Sequence, residues 1–301
     1  MCVEEIIDKL SQEEIFIDRS KSTAEMSFLE IGGKSKLVVY PRNKNQLLKV
    51  LKLLKRCCAK FSIVGNCSNV FFDSEGYNGV IVSTKLLDDI RIEGKQLEAF
   101  CGALVTDCAL KAMNESLSGM EFLCGIPGSV GGAVYMNAFA YGEEISNIFS
   151  KCEAYDLDKE VVVELAKSDL NFIAKGSTFS KNRNLIIMSV EFNLQFSDKL
   201  KIREAMLKNS LRRIKSQPLE LGNCGSTFKR PKNSYASKII DELGFKGKRV
   251  GGAMVSQKHA GFIVNFDNAS SNDVLTLMEN IKTKTKTALG ICLEQEIIFL
   301  E

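Results

Sequence analysis

The sequence predicts an α+β protein, in which helices and strands mix without a regular strand-helix-strand alternation. Several segments have the apolar spacing of helices, short β-branched runs lie between them, and one glycine-rich segment suits neither element. The chain has 301 residues, of which 45% are hydrophobic and 26% charged. That composition is typical of a globular protein, and the length predicts about two domains.

Helical spacing is clearest in residues 45–58, where Leu47, Leu51 and Leu54 can share one face. Similar spacing predicts a basic helix over 199–216, which ends before Pro218. Gly244 is a suitable C-cap for a short helix, and Ser270 or Ser271 is a suitable N-cap for a longer one. The other predicted helices are therefore 106–116, 236–243 and 272–288.

Runs of β-branched and aromatic residues predict the strands. Two of these runs flank Asp156-Leu157-Asp158-Lys159, which is typical of a hairpin turn. A long apolar run predicts one extended strand over 184–194. The predicted strands are 62–64, 80–82, 152–155, 161–163, 184–194, 261–264 and 291–300.

Net charge and hydropathy exclude two classes of protein. The formal net charge is +3, too small for a strongly basic nucleic-acid binder that would neutralise many phosphates. No stretch approaches the roughly 18 continuous apolar residues of a bilayer-spanning helix. We therefore expect a protein without nucleic-acid or membrane partners.

The cysteines indicate a reducing compartment. There are 10 of them, and the acidic start of the chain, Met1 to Glu5, has neither the basic flank nor the apolar stretch of a secretory signal. We expect a cytoplasmic protein whose thiols are mostly buried. The sequence contains no C-x-x-C, and His259 is its single histidine, so no metal site is predicted.

The most informative segment is 125–132. It holds Gly125, Gly128, Gly131 and Gly132 together with Pro127, which suits neither a helix nor a central strand. A bare backbone of this kind can turn tightly and present several N–H groups to an anion such as a pyrophosphate. A purely structural glycine-rich turn is the alternative. A Rossmann site is poorly supported because G-x-G-x-x-G is absent.

Residues 64–69 form a second candidate loop, since small polar residues follow a predicted strand there. Taken alone this signal is weak, because such residues populate most loops. Gly33-Lys34-Ser35 resembles the end of a P-loop, but the earlier glycine position is occupied by Phe28. The P-loop interpretation is therefore excluded.

The second half contains several polar candidates. Ser226 precedes Lys229 and Arg230 in a turn, which could bind phosphate and donate a proton or could simply be a solvated loop. Glu294 and Glu296 share a face of the predicted last strand. One of them could enter a pocket, although exposed edge carboxylates are commoner. No carboxylate lies near His259 in sequence, so no triad is indicated.

Six segments, taken in order, resemble the UDP-N-acetylenolpyruvoylglucosamine reductase (MurB) family. The similarity runs from about residue 31 to residue 296. The matching segments are Ile31-Gly32-Gly33, Gly65-Asn66-Cys67-Ser68-Asn69, Gly125 to Gly132 continuing to Gly142, Gly225-Ser226-Thr227-Phe228, Val255-Ser256-Gln257-Lys258-His259-Ala260 and Leu293-Glu294-Gln295-Glu296.

The resemblance implies an FAD-binding region of the PCMH type, as in vanillyl-alcohol-oxidase-like flavoproteins, over residues 1–197. Two subdomains, about 1–85 and 86–197, would form this region. A C-terminal α+β substrate-binding domain would occupy 198–301. The length and the spacing after Met136 resemble the shorter family type, which lacks an extra substrate-covering loop.

The resemblance also implies an enzyme. With FAD and NADPH as cofactors, it would reduce UDP-N-acetylglucosamine enolpyruvate to UDP-N-acetylmuramate for peptidoglycan synthesis, and a monomer is expected. By position, Ser226 would be the proton donor, Glu296 the acidic residue near the substrate carboxylate, and Lys175 would occupy the place of a catalytic arginine. The implied cofactor-binding residues are Gly65, Asn66, Cys67, Ser68, Asn69, Gly125, Ile126, Pro127, Gly128, Ser129, Gly131, Gly132 and Asn137. The implied substrate-binding residues are Lys229, Arg230, Lys246 and His259, a group in which fixed cations would bind the diphosphate.

Three positions depart from the family pattern. Lys175 stands where the family has arginine, and Cys67 and Phe139 stand where it has glycine. These departures motivate an alternative hypothesis, a degenerate member that binds a UDP-sugar or a partner without redox activity. A flavin oxidase acting on another substrate is a third hypothesis, which residues 225–231 disfavour by resemblance only.

Overall fold

The computed structural model describes residues 3–232 and 234–301. In chain order, the helices of the described residues are α1 Val3–Gln12, α2 Lys44–Arg56, α3 Val105–Asn114, α4 Val130–Tyr135, α5 Ile145–Ile148, α6 Thr178–Lys181, α7 Lys199–Ser216, α8 Ala236–Glu242 and α9 Ser271–Leu289. The strands are β1 Phe16–Asp18, β2 Ser35–Tyr40, β3 Phe61–Val64, β4 Val70–Phe72, β5 Tyr77–Ser83, β6 Ile90–Glu93, β7 Gln96–Phe100, β8 Leu117–Ser118, β9 Phe139–Ala140, β10 Glu143–Glu144, β11 Phe149–Asp156, β12 Val161–Ala166, β13 Leu185–Asn193, β14 Gln195–Phe196, β15 Gly222–Asn223, β16 Arg249–Val250, β17 Ala253–Val255, β18 Ile263–Asn265 and β19 Ile298–Leu300.

The chain divides into two compact units, each with its own hydrophobic core. The first unit comprises the chain up to Asp18, Leu37–Asn66 and Gly79–Arg212. The second comprises Arg19–Lys36, Cys67–Asn78 and Arg213–Glu301. The assignment of FAD and substrate roles to residues 1–197 and 198–301 stays a prediction.

Two larger sheets form the frame of the first unit. One has the strand order β1-β2-β5-β3, and the other is antiparallel with the order β12-β11-β13-β7-β6. The hairpin predicted around Asp156 is confirmed, because β11 and β12 pair antiparallel with Cys152 opposite Leu165. Asp156 accepts hydrogen bonds from the N–H groups of Asp158 and Lys159, which closes the turn.

The helix predicted over 45–58 is confirmed as α2. The side chain of Asn43 caps its N-terminus by accepting a hydrogen bond of 2.9 Å from the N–H of Gln46. Leu47, Leu51 and Leu54 are buried, as their spacing predicts. These leucines are buried because α2 is amphipathic, with its lysines on the other side of the helix.

An antiparallel sheet with the order β15-β18-β17-β16 and a parallel pair, β4 with β19, form the second unit. In the parallel pair, Val70 lies opposite Ile298. The buried residues of α9, including Val274, Leu277 and Ile281, belong to the core of this unit.

Two strand predictions are corrected in their bounds. The predicted strand over 261–264 is shifted to Ile263–Asn265, and the one over 291–300 is reduced to Ile298–Leu300. Within 291–297 the backbone makes a single bridge, Gln295 opposite Phe228. Apolar content predicts an extended segment there, but a strand also needs a partner long enough to continue the ladder.

None of the nine cysteines within the described residues forms a disulfide, and Cys2 lies outside those residues. Cys67, Cys101, Cys108, Cys152 and Cys224 are buried. Burial raises the thiol pKa of Cys101, Cys108, Cys152 and Cys224 to about 12. The prediction that most thiols act as small buried hydrophobes is confirmed for these positions.

Residues 3–232 and 234–301 contain no helix with the length and apolar character needed to cross a membrane. The same residues contain no group of three or more histidine, cysteine or acidic side chains arranged to hold a metal ion.

A capping box begins α9. The hydroxyl of Ser270 accepts from the N–H of Asp273 at 3.1 Å, and the carboxylate of Asp273 accepts from the N–H of Ser270 at 2.9 Å. The same carboxylate accepts from the N–H of Gly252 at 3.3 Å. These hydrogen bonds, first of all the one from Ser270, lower the pKa of Asp273.

Replacement of Asp273 by asparagine should therefore destabilise the protein in a pH-dependent way. A depressed native pKa means that the carboxylate contributes its stability above its unfolded value of about 3.9 and loses it as the pH falls through the native value. We expect Asp273→Asn to lower the free energy of unfolding by about 1 kcal/mol at pH 7 and to converge with the parent in acid. Urea unfolding followed by circular dichroism between pH 7 and pH 3 measures both effects. Asp88→Asn, at an exposed carboxylate, is the control; a difference independent of pH would contradict the role given to the charge.

Candidate functional site

Two of the predicted loops touch each other in the first unit. Gly65 follows β3 directly, and a Cβ added to it would lie 2.0 Å from Oγ of Ser129. Nδ2 of Asn66 donates a hydrogen bond of 2.7 Å to the carbonyl of Pro127. Only a residue without a side chain fits at position 65. The close approach of the two loops thus depends on a bare backbone.

The glycine-rich loop is fastened to the chain between Cys101 and Val105. The N–H of Val105 donates to the carbonyl of Gly128 at 3.0 Å, and the N–H of Gly131 donates to the carbonyl of Cys101 at 2.8 Å. A Cβ on Gly131 would lie 3.0 Å from Cβ of Cys101. Hydroxyl oxygens at Thr106 and Ser129 accept from N–H groups within the same loop. The loop is therefore held rigidly.

Some backbone donors of these loops have no partner. Among residues 3–232 and 234–301, the N–H groups of Asn66, Gly128 and Ser129 donate no hydrogen bond. Ser129 is only 3% exposed, and buried N–H groups are rarely left unpaired. Unpaired donors in a glycine-lined cradle fit the diphosphate of a dinucleotide such as FAD. These three N–H groups would bind its oxygens.

The remainder of the first loop, residues 67–69, belongs to the second unit. Cys67 has φ of 52°, in the left-handed region, which explains why the family pattern has glycine there. The side chain of Asn69 donates to the carbonyl of Glu296 at 3.1 Å, and the carbonyl of Asn69 accepts from the N–H of Ile298 at 2.8 Å. The polar groups of Asn69 thus bind protein backbone, and roles for Cys67, Ser68 and Asn69 in cofactor binding stay predictions.

Phe139, the third departure from the family pattern, differs from Cys67 in its backbone. Its φ is not positive, so its conformation does not require glycine. It lies in β9 opposite Glu144, and its side chain is 46% exposed. An aromatic residue is therefore accommodated in the first unit without backbone strain.

The buried side chain of Asn137 joins three segments through hydrogen bonds. Its side-chain N–H groups donate to Oε2 of Glu144 and to the carbonyl of Ile173, each at 3.1 Å, and its Oδ1 accepts from the N–H of Ser146 at 3.2 Å. Both donors and the acceptor are thus engaged by protein. Direct cofactor binding by Asn137 stays a prediction, and its visible role is to hold neighbouring segments together.

One of those segments carries Lys175. Ile173 and Gly176 exchange backbone hydrogen bonds of 3.0 and 3.2 Å, which makes 173–176 a tight turn with Lys175 at φ of 61°. The hydroxyl of Ser177 donates to the carbonyl of Tyr135 at 3.0 Å. With the Asn137 bond, this fastens the turn to the end of α4. Sequence reasoning found Lys175 and Asn137 but not the hydrogen bond that joins Asn137 to the turn. It missed Ser177, because no motif marks that residue.

In the second unit, Thr227 organises the candidate catalytic segment. Its N–H donates to the carbonyl of Gly261 at 2.8 Å, and its carbonyl accepts from the N–H of Glu296 at 2.9 Å. Its buried hydroxyl accepts from the N–H of Ile263 at 3.1 Å. Bonds on both sides of Thr227 therefore fix the backbone beside Ser226.

Ser226 and Glu296 lie in the two segments that the backbone bond between Thr227 and Glu296 joins, which we call the ladder. Ser226 is half-buried, and its hydroxyl makes no hydrogen bond within the described part of the chain. It follows Gly225, which has φ of 75° and nothing within 4 Å of an added Cβ. Glu296 lies opposite Thr227, the next residue after Ser226. Ser226 thus offers an unengaged hydroxyl donor, one residue before the position that lies opposite the half-buried Glu296.

The two glutamates of the last segment differ in environment. Glu294 is exposed and pairs with Lys229, with Nζ and Oε2 at 3.2 Å. Glu296 is half-buried. Burial thus favours Glu296 over Glu294 as the functional carboxylate.

The remaining predicted substrate residues lie on the surface of the second unit. The guanidinium of Arg230 stacks 4.0 Å above the ring of Tyr235. Lys246 pairs with Asp241 at 2.7 Å. Both cations are exposed, where ion pairs contribute little to stability and rearrange readily.

His259 departs from the predicted group of fixed cations. Its Nδ1 accepts a hydrogen bond of 3.1 Å from the N–H of Gly261, which places the hydrogen of the neutral ring on Nε2. Burial, with a smaller contribution from Lys246, lowers the pKa of His259. At neutral pH the ring is therefore a neutral donor, and a role in substrate binding stays a prediction.

Comparison with known proteins gives matches along most of the chain. Residues 35–163 match the profile of an FAD binding domain, and residues 217–300 match the UDP-N-acetylenolpyruvoylglucosamine reductase C-terminal domain. The UDP-N-acetylenolpyruvoylglucosamine reductase of Caldicellulosiruptor bescii is 41% identical over 92% of this chain and 88% of its own length. The chain belongs to the MurB family.

Other relatives agree with this assignment. The UDP-N-acetylenolpyruvoylglucosamine reductase 2 of Bacillus cereus is 38% identical over 89% of this chain and 88% of its own. The crystal structure of MurB from Thermus caldophilus is similar with a TM-score of 0.80 at 27% identity, over 95% of this chain and 100% of that one. The predicted α+β fold, with an FAD-binding domain and a MurB C-terminal domain, is confirmed.

As a MurB family member, the protein is an FAD-dependent oxidoreductase of peptidoglycan precursor synthesis. FAD and NADPH, the predicted cofactors, are those of the family. The unpaired N–H groups of Asn66, Gly128 and Ser129 all lie within the matched FAD-binding domain. The residues present therefore fit the cofactor that the family requires.

The contact between Gly65 and Ser129 predicts the effect of one added methyl group. Gly65→Ala should push the two loops apart and reduce retained FAD by more than about tenfold. Loss of a single interaction worth about 1.4 kcal/mol already weakens affinity tenfold. The ratio of flavin absorbance to protein absorbance after gel filtration measures this loss, and circular dichroism checks the fold. The double variant Gly65→Ala with Ser129→Gly removes the colliding side chain and should recover part of the flavin. Equal loss in the single and double variants would contradict the steric explanation.

Proposed function

We propose that this MurB family member uses NADPH to reduce UDP-N-acetylglucosamine enolpyruvate to UDP-N-acetylmuramate in the cytoplasm. The main support is the unengaged hydroxyl of Ser226 in the matched C-terminal domain, where the next residue, Thr227, is held by a backbone bond from Glu296. We also propose that the protein works as a monomer, with the UDP-sugar and NADPH as its small-molecule partners.

The reduction requires a hydride at the terminal carbon of the enolpyruvyl group and a proton at the neighbouring carbon. This hydride would come from NADPH by way of FAD bound to the first unit. The hydroxyl of Ser226 gives the proton to the carbon next to the carboxylate, where negative charge develops. Because this hydroxyl has no protein acceptor within the described residues, its hydrogen is available for transfer.

Lys175 and Glu296 act at the carboxylate end of the substrate in this proposal. The ammonium of Lys175 stabilises the negative charge that develops there. A lysine keeps the charge of the arginine in the family pattern but cannot form two parallel hydrogen bonds to a carboxylate. The backbone N–H of Glu296 holds the serine segment through its hydrogen bond to the carbonyl of Thr227, and the side chain of Glu296 supplies the acidic group near the substrate carboxylate.

The nucleotide end of the substrate is assigned to the cations of the second unit. Lys229 and Lys246 each have an acidic partner, Glu294 and Asp241. Exposed pairs of this kind are worth at most about 1 kcal/mol, so a diphosphate can displace the carboxylates. Arg230 can bind phosphate while stacked on Tyr235, and neutral His259 can donate from Nε2.

Separate measurement of the two half-reactions tests this function. NADPH should bleach the flavin of the purified holoenzyme, and colour should return under anaerobic conditions only when the enolpyruvyl UDP-sugar is added. Ser226→Ala should leave bleaching unchanged and slow the return of colour by about 10²–10⁴-fold, the range for a lost proton donor. Ser226→Cys, which keeps a transferable hydrogen, should lose less.

Equal slowing of both steps in Ser226→Ala would contradict the proton-donor role. A protein that binds the UDP-sugar in calorimetry but retains no FAD after reconstitution would overturn the function as a whole and support the degenerate-member hypothesis.

Lys175→Arg should raise turnover several-fold. A planar guanidinium can bind the substrate carboxylate through two hydrogen bonds, which an ammonium cannot do. Steady-state kcat and KM with the UDP-sugar measure the effect. Lys181→Arg, at an exposed lysine in α6, is the matched control. Unchanged or lower turnover in Lys175→Arg would show that the surrounding site fits lysine instead.

A further inference from the structure

The helix α7 has apolar residues on two opposite faces. Ile202 and Met206 are buried in the core of the first unit. Leu200, Leu207 and Leu211 are 67%, 53% and 65% exposed. At 3.6 residues per turn these leucines lie on the side opposite Ile202. Three large aliphatic side chains therefore face solvent along one line.

The spacing of these leucines is that of a coiled-coil strand. Leu200 and Leu207 are seven residues apart, and Leu211 follows four residues later, which places them at d, d and a of a heptad. We call these three leucines the heptad seam. A lysine follows the first two, as Lys201 and Lys208, at the e position. The sequence repeats the same pair once more as Ile214 and Lys215.

Basic side chains strongly outnumber acidic ones in α7. Its 18 residues contain one acidic side chain, Glu204, and seven basic ones, which gives +6. Because the whole chain carries +3, the remainder carries −3. Lys201, Arg203 and Lys208 are exposed and form no ion pair within residues 3–232 and 234–301. The heptad seam is thus flanked by uncompensated positive charge.

We propose that the heptad seam binds an acidic amphipathic helix of another protein. Such a helix would place its own apolar a and d side chains between Leu200, Leu207 and Leu211. Its glutamates or aspartates at e and g would pair with Lys201, Lys208 and Arg203, as charges do across coiled coils. The interaction would bury apolar surface that is now in water and compensate cations that have no partner.

The same features disfavour a second copy of this chain as the partner. A parallel pair would place lysines at e opposite Arg203 at g, and an antiparallel pair would place lysines opposite lysines. Like charges across such an interface are destabilising. Two helices of +6 each would also repel at long range.

A membrane surface fits the features less well. The seam is a narrow a and d line, whereas membrane-surface helices present a broad apolar face. Glu204 lies on this line, four residues after Leu200 and three before Leu207. An anionic bilayer would repel its carboxylate, whereas a partner helix can offer it a cation or an amide at the facing position, as polar a residues do.

A pair of synthetic peptides tests this inference on the FAD-loaded full chain. Each is a fluorescein-labelled peptide of three heptads with leucine at a and d, and the two differ only in having glutamate or lysine at e and g. In fluorescence anisotropy we expect the acidic peptide to bind at least about tenfold more tightly than the basic one, and to weaken as salt is raised.

Variants of α7 should change this preference in two distinct ways. Leu207→Gln with Leu211→Gln should abolish binding of both peptides. Lys201→Glu with Lys208→Glu should invert the preference toward the basic peptide. Lys284→Glu with Lys286→Glu, which makes the same charge change on α9, should keep the original preference. All substituted side chains are exposed, so circular dichroism and flavin content should be unchanged.

Three results would overturn the proposal. One is equal binding of the acidic and basic peptides. A second is cosedimentation of the protein with vesicles of anionic phospholipid that Leu207→Gln with Leu211→Gln abolishes. The third is a monomer-dimer equilibrium in analytical ultracentrifugation that the same leucine variant removes. None of these measurements involves the reductase reaction, so they test the helix-binding proposal independently of the proposed function.

Discussion

The arrangement of the two candidate loops in the first unit depends on the close contact between Gly65 and Ser129. Without a side chain at position 65, the hydroxyl of Ser129 occupies the space that a Cβ would fill. The loop is bound on its other side to residues 101–105, which uses some of its backbone donors and leaves those of Gly128 and Ser129 unpaired. Leaving a buried donor unpaired costs about 1–3 kcal/mol. A ligand that accepted these hydrogen bonds would recover that cost, and in the proposed role the backbone of this loop would bind the cofactor whatever its side chains.

The second unit works by the opposite principle. Its backbone bonds at Thr227 are all satisfied, and the group that it would offer to a substrate in the proposed function is the side chain of Ser226. Thr227 fixes the backbone that carries this side chain, because it is bonded to Gly261 on one side and to Glu296 on the other. A proton donor has to be positioned within a hydrogen-bond length of its target. A short ladder with a buried threonine provides that precision without a long strand.

The three departures from the family pattern have different physical meanings. Cys67 adopts a left-handed conformation that favours glycine, so its side chain carries a conformational cost. Phe139 adopts no such conformation and is partly exposed, so it carries none. Lys175 also has a positive φ, yet its turn is fastened through Ile173 to Asn137 and through Ser177 to Tyr135. The support of the turn is independent of which basic residue it carries.

The sequence by itself determined the α+β class, the helices with clear apolar spacing, the hairpin at Asp156 and the family, because periodicity, turn residues and motif order are local properties of the chain. Local patterns could not determine that 291–297 makes only a single bridge, to Phe228. Nor could they determine that burial lowers the pKa of His259 or that its Nδ1 accepts from the N–H of Gly261. Strand alternation also left Glu294 and Glu296 on one face, whereas the folded chain distinguishes them by burial and by the ion pair of Glu294 with Lys229. These outcomes depend on segments distant in sequence that meet only in the folded chain, where hydrogen bonding and burial are decided.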